Sequence, residues 1–168
     1  MEEQINKALL FTAKHFNESC HNFGKPVYLH CVKVAMKLYE LGYDEKIVVG
    51  GVLHDLLEDT DCTFEDIKAE FGADMAELVS VLSFCPDVKD KLKQSKLMID
   101  ACLDYGKDAL IIKSIDMCEN GKFFSLVTNP DIKSYLISKY SYFTNVASKV
   151  IKKEAAFKEY LKIAKNIN

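Results

Sequence analysis

Apolar positions recur at three- and four-residue intervals along most of the chain, and the interruptions fall at glycine, proline and capping residues. Within residues 4–17, Ile5, Ala8, Leu9, Ala13 and Phe16 share one helical face, and a turn-rich break with Gly24 and Pro26 follows. Leu29, Val32, Val34, Ala35, Leu38 and Leu41 predict a second helix from Tyr28 to Leu41, with Gly42 placed to stop it in the left-handed conformation. Asp44 is positioned to cap a third helix running to about Leu57, in which every residue from Ile47 onward is apolar or glycine except His54 and Asp55. Thr63 and Asp66 make a capping pattern for a helix to Phe71, and Gly72 parts it from a helix over 73–83 that Pro86 closes. A lysine-rich amphipathic helix is expected over 87–104, ending at Tyr105-Gly106. A second apolar run, Asp108 to Asp116, carries a carboxylate at its end. Beyond Asn129-Pro130 the pattern predicts a long helix over 132–151 and a last one over 154–167. Tyr135, Leu136, Lys139, Tyr140 and Phe143 keep the 3.6-residue period, so the aromatic segment 135–143 reads as helix rather than strand. With no convincing strand pair, repeat or low-complexity tract, the class is all-α. One compact bundle of about seven to nine helices is expected over residues 1–168.

Composition narrows the class without naming a chemistry. At 168 residues, 49% hydrophobic and 28% charged, the chain suits one ordinary globular domain with a substantial core. A net charge of -3 excludes the basic stripe of a protein that wraps nucleic acid, so no nucleic-acid polymer is expected as partner. The apolar runs fall short of the roughly 20 residues a membrane-spanning helix needs, and MEEQINKALL does not resemble a signal peptide, which gives a cytoplasmic expectation. Cysteines at 20, 31, 62, 85, 102 and 118 form no CxxC pair and read as reduced, packed residues. Oligomeric state cannot be read from the pattern.

The chemistry is concentrated in GVLHDLLEDT, residues 51–60. Burying an unpaired carboxylate costs several kcal/mol, so a group so placed neutralises, pairs or binds a metal. If the helix is continuous, His54 with Glu58 and Asp55 with Asp59 form two rows on adjacent faces. Glu58 and Asp59 then lie at its C-terminal end, where negative charge opposes the macrodipole and asks for a cation. Taken with His30 and Asp116, His54 and Asp55 offer two imidazoles and two carboxylates. That mixed nitrogen and oxygen set, without thiolate, favours Mn²⁺, Fe²⁺, Co²⁺ or Zn²⁺ over calcium. A bound ion of that kind makes a nucleophile of water at neutral pH, with Glu58 and Asp59 placed to move protons or orient it.

The order of a lone His, then His-Asp, then a distant Asp resembles the HD superfamily of metal-dependent phosphohydrolases. The extended form HDLLEDT is similar to its guanosine polyphosphate hydrolase branch, the RelA/SpoT type. ALLFTAKHF (8–16), GKPVYLHCVKVA (24–35), FEDIKAEFG (64–72), ELV (77–79) and IIKSIDMCEN (111–120) fall in that branch's order and at similar distances. The extent is that of the small stand-alone hydrolases. The resemblance implies that His30, His54, Asp55 and Asp116 ligate Mn²⁺ and that Glu58 and Asp59 activate the attacking water. It implies a nucleotide or related phosphate substrate, with removal of the 3′-pyrophosphate of guanosine 3′,5′-bis(diphosphate) the best specific expectation. Asn120 matches a position near the nucleotide and Lys113 a basic position in the same segment; His21 stands where the branch has an Arg, Tyr28 falls one place after the branch's Tyr, and Lys25, close in sequence to the constellation, suits an anionic substrate. Met117 and Glu119 replace an Arg and a His, Val27 takes the place of a Tyr, and Cys31 that of a proline. Arg forks are planar and bidentate, which neither His21 nor Met117 reproduces. Two rival readings follow: an HD hydrolase of another nucleotide or phosphate ester, and a catalytically silent nucleotide-binding module.

Overall fold

A computed structural model describes residues 1–18, 27–84 and 87–167. The described residues form only helices: α1 (Glu2–Glu18), α2 (Val27–Glu40), α3 (Glu45–Leu53), α4 (Leu56–Asp59), α5 (Phe64–Phe71), α6 (Ala73–Leu82), α7 (Lys91–Tyr105), α8 (Lys107–Gly121), α9 (Pro130–Ala147) and α10 (Ala155–Ala164), with a 3₁₀ turn at Phe124–Leu126. The all-α expectation holds. None of these helices is long and apolar enough to cross a membrane. The chain divides into two compact units, Met1–Ser83 and Phe84–Asn168.

In the first unit the boundaries follow the capping chemistry. Asp44 accepts from the Ile47 N–H at 3.0 Å and opens α3. Thr63 and Asp66 close a full reciprocal capping box on α5, with the Asp66 carboxylate accepting from the Thr63 N–H at 2.9 Å and the Thr63 hydroxyl accepting from the Asp66 N–H at 3.2 Å. Gly42 and Gly72 take positive φ of 77° and 89°, where a Cβ would be strained. Every residue from Ile47 to Leu53 is buried, so α3 is the central element of this unit. Each Val or Leu so buried contributes about 1.5–3 kcal/mol. α3 packs on α1, α2 and α6.

The expectation of one helix through Leu57 is corrected. α3 stops at Leu53, His54 and Asp55 occupy a turn, and α4 restarts at Leu56. Asp55 sits at φ −95° and ψ −1°, and its carbonyl receives the N–H of Glu58 and of Asp59 at 3.3 and 2.9 Å. The two rows of a continuous helix are therefore not built. Glu58 and Asp59 belong to a four-residue helix, which carries little of the macrodipole that a long helix would set against them.

The second unit holds α7 to α10. α7 starts at Lys91 rather than 87, because Asp90 caps it through the Lys93 N–H at 2.7 Å. Asn129 caps α9, with Pro130 in its first turn. The core is aromatic: Tyr140, Phe143, Phe157 and Tyr160 are all buried, with Tyr160 stacked on Tyr140 and Phe157 and edge-on to Phe143. α8 is buried from Ala109 to Glu119. Cys31, Cys62, Cys102 and Cys118 are free thiols, as expected of the described ones, and burial pushes Cys62 and Cys102 up to about 12. Cys20 and Cys85 lie outside the described residues.

Candidate functional site

Two elements of the first unit converge at one carboxylate. α2 presents His30 and Cys31 from its first turns, and the turn after α3 presents His54 and Asp55. Gly51 is what lets the two helices approach. A Cβ there would stand 2.6 Å from Leu38 Cδ1 and 3.5 Å from Ala35 Cα, both on α2. The same residue orients the imidazole, since His54 Nδ1 lies 2.8 Å from the Gly51 carbonyl. A carbonyl oxygen only accepts, so Nδ1 carries the proton and Nε2 is the nitrogen left for a ligand. That interaction engages the carbonyl that an uninterrupted helix would offer to the Asp55 N–H, at the point where α3 ends.

His54 Nε2 faces Asp55 Oδ1 at 3.2 Å, and His30 Nε2 faces Asp55 Oδ2 at 3.7 Å. The two imidazole rings meet edge to face with centroids 5.3 Å apart. His54 is 1% exposed, and the side chains of His30 and Asp55 only 12% and 15%. Two nitrogens aimed at one nearly buried carboxylate need a proton or a cation among them. Cys31 Sγ stands 4.0 Å from the same Asp55 Oδ2. The donor set fits a divalent transition metal, with the Gly51 carbonyl as the outer partner that fixes one ligand. Glu58 and Asp59 lie one turn on, Glu58 exposed and Asp59 half-buried.

In the second unit Asp116 lies on α8 and is 4% exposed. Lys113 reaches one of its oxygens at 2.8 Å, and the Asn120 amide donates to the other at 2.6 Å. These three sequence-selected residues are thus neighbours, and the amide of Asn120 and the ammonium of Lys113 are directed at the carboxylate. Met117 is buried and its carbonyl accepts from the Tyr140 hydroxyl at 2.6 Å, while Glu119 pairs with Lys122 at 2.5 Å. Tyr28 lies at the surface of α2, its ring 6.3 Å from that of Phe16. His21 and Lys25 lie outside the described residues. The spacing argument missed two features: Gly51 as the imidazole's anchor and Cys31 as a neighbour of the carboxylate. A glycine in the middle of an otherwise large apolar run, and a thiol beside a ligand histidine, were the signals available.

Comparisons with known proteins identify the family. The model of the HD domain family matches residues 8–96. The chain is 34% identical over 122 residues to the guanosine-3′,5′-bis(diphosphate) 3′-pyrophosphohydrolase of Aquifex aeolicus, an alignment covering 71% of this chain and 18% of that protein. It is 30% identical over 166 residues to a probable enzyme of the same name from Mycoplasma pneumoniae, covering 97% of this chain and 21% of that one. It spans about a fifth of the length of these relatives. A solved structure described as a metazoan ortholog of SpoT that hydrolyses ppGpp superposes with a TM-score of 0.74 at 19% identity, covering 97% of this chain and 94% of that one. A Listeria monocytogenes protein gives a TM-score of 0.67 at 24% identity over 82% of this chain and 92% of its own. Both likenesses speak for the fold.

Proposed function

The chain belongs to the HD domain family, and from that premise we propose that it is a metal-dependent pyrophosphohydrolase acting on the 3′-diphosphate of guanosine 3′,5′-bis(diphosphate). The observation that carries this reading is the convergence of His30 and His54 on Asp55, with Glu58 and Asp59 directly following. We propose Asp116 as the fourth ligand, supported by its place in the family's order of motifs and by its burial in α8. The proposed ion is Mn²⁺, in keeping with a nitrogen and oxygen donor set. The two units are taken as one HD domain over 1–168, supported by a relative aligned over 97% of the chain. A cytoplasmic setting suits such a substrate.

When bound, the ion supplies Lewis acidity and a lowered water pKa. The chain supplies the rest. Gly51 holds the His54 ring in the tautomer that leaves Nε2 for the ion. Glu58 and Asp59 accept the proton of the water that attacks the 3′-diphosphate and return one to the ribose 3′ oxygen as pyrophosphate leaves. Lys25, His21, Tyr28, Lys113 and Asn120 are the proposed substrate-side groups, with Lys113 and Asn120 acting through the neighbourhood of Asp116.

A second reading has its own observation. Met117 is buried where the branch has an Arg, so no guanidinium reaches phosphate from that position. This favours a different phosphorylated nucleotide. Incubating the Mn²⁺-loaded protein with guanosine 3′,5′-bis(diphosphate), its pentaphosphate form, NADPH and nucleoside triphosphates distinguishes the readings. Pyrophosphate release from the guanosine polyphosphates, lost in Asp55→Ala and Glu58→Ala, is the expected result. Turnover of another member of the panel replaces the substrate. Binding of metal and nucleotide without turnover makes the chain a silent module.

A further inference from the structure

Cys31 is fully buried on α2, next in sequence to His30, and its thiol is directed at the Asp55 carboxylate. Hydrolysis by the groups above has no use for a thiol there, and the branch that the chain resembles has proline in its place. Cys31, His54 and Asp55 each offer a ligand atom, and the three atoms lie within 4.8 Å of one another. Among the described residues the other free cysteines, Cys62, Cys102 and Cys118, belong to no such group.

The geometry points to a second way of loading this centre: a thiophilic divalent cation, Zn²⁺ being the physiological case, held by Cys31 Sγ, His54 Nε2 and Asp55. This rests on the reading of His54 and Asp55 as metal ligands and adds a donor to it. Zinc binds sulfur at about 2.3 Å and nitrogen or oxygen at about 2.0–2.2 Å, so donors of one tetrahedral ion stand roughly 3.3–3.6 Å apart. The observed separations are 3.2 Å from His54 Nε2 to Asp55 Oδ1 and 4.0 Å from Cys31 Sγ to Asp55 Oδ2. A small side-chain rotation closes that gap, and the ion displaces the thiol proton to solvent.

The selectivity follows from where the carboxylate sits. Asp55 Oδ2 faces His30 Nε2 at 3.7 Å and Cys31 Sγ at 4.0 Å. A hard or borderline ion such as Mn²⁺ prefers the imidazole side, whereas a softer one gains from the thiolate. His54 and Asp55 are common to both sets, so the two ions exclude each other. A thiol at this position therefore makes the centre responsive to zinc.

The test is a titration of the full chain with Cd²⁺ and with Co²⁺, following the ultraviolet band of thiolate-to-metal charge transfer. One equivalent develops the band in the wild type and in Cys62→Ala. Cys31→Ser and Cys31→Ala lack it, and their Zn²⁺ affinity falls at least about tenfold, the lower range for losing a supporting contact to a metal site. Mn²⁺ affinity, read by electron paramagnetic resonance, falls in both Cys31 variants by much less than Zn²⁺ affinity does. Should the variants fail to fold, the cadmium NMR shift of the wild type reports sulfur ligation directly. A bound Cd²⁺ without the band or the sulfur shift, or an undiminished band in Cys31→Ser, overturns the inference while leaving Mn²⁺ binding intact. Failure of the wild type to bind Mn²⁺ and Cd²⁺ alike overturns the metal centre itself and this inference with it.

Discussion

The Gly51 carbonyl and the His54 imidazole are joined at 2.8 Å through Nδ1, three residues apart at the end of α3. One residue thus admits α2 to close packing and fixes the ring of a candidate ligand. Gly51→Ala separates these roles by magnitude. Alanine gains about 1 kcal/mol in helix propensity. Its Cβ, 2.6 Å from Leu38 Cδ1 in a packed interior, costs about 1–3 kcal/mol. Thermal unfolding should therefore report a net loss of at most about 2 kcal/mol by these two terms. Displacing the carbonyl that orients His54 should lower Mn²⁺ affinity by about 10–100-fold, as for other outer partners of a metal. A titration followed by electron paramagnetic resonance checks it, and unchanged affinity would remove Gly51 from the site.

Asp55 and Glu58 should fail in different ways. Asp55→Asn keeps the shape and removes the charge on which two imidazoles converge. It should weaken Mn²⁺ by more than the roughly 10–100-fold of an outer partner, and turnover should go with it. Glu58 is exposed and, among the described residues, stands outside the clusters of groups that could hold an ion. Glu58→Gln should keep Mn²⁺ affinity and lose about 10²–10⁴-fold in kcat. Chelation should abolish turnover of the wild type, and Mn²⁺ should restore it.

The Lys113–Asp116 pair is almost wholly buried, the two side chains 5% and 6% exposed at 2.8 Å. Removing one partner of such a pair leaves an uncompensated charge, and Lys113→Met should destabilise the protein by about 3–5 kcal/mol. Replacing both, as Lys113→Met with Asp116→Leu, should recover most of that loss, because an apolar pair needs no desolvation of charge. Denaturant unfolding measures both. If Asp116 is a ligand, the double variant regains stability without regaining turnover, and a double variant that hydrolyses at the wild-type rate would strike Asp116 from the metal set.

The periodic apolar pattern made nearly every helix legible, and side-chain caps fixed the edges where Asp44, Thr63 and Asn129 stood. Two edges escaped it for local reasons. Asp87 looked helical by composition, yet Asp90 takes the cap of α7. The break at His54 comes with an imidazole reaching back to Gly51, which periodicity cannot register because the apolar run continues through Leu56 and Leu57. The ligand candidates were legible because buried ionisable groups in an apolar run are costly. Lys113 read as a substrate contact from its family position and its charge, and its ammonium lies against Asp116. Cys31 read as one more packed thiol because sequence spacing gives no direction to a side chain.

Burial raises the Tyr140 and Tyr160 hydroxyls above their ordinary 10.0, so the fold prefers both neutral. In the unfolded chain they ionise near pH 10, which means the unfolded state binds fewer protons than the native one above that pH. The contribution is thus complete below pH 10 and is lost as pH rises toward the native values. Each tyrosine should cost about 1.4 kcal/mol of stability per pH unit in that interval. Tyr140→Phe removes one of them together with the hydrogen bond to the Met117 carbonyl at 2.6 Å. At pH 8 the variant should be less stable than wild type by about 0.5–1.5 kcal/mol, the net worth of one hydrogen bond, because the Met117 carbonyl lies within α8 and keeps its helical donor. Between pH 10 and 11 the difference should shrink by about 1 kcal/mol, since phenylalanine has no proton to lose and the unfolded tyrosine is already half ionised at pH 10. Parallel stability curves for the two proteins across that range would show that Tyr140 ionises in the folded state as readily as in the unfolded one.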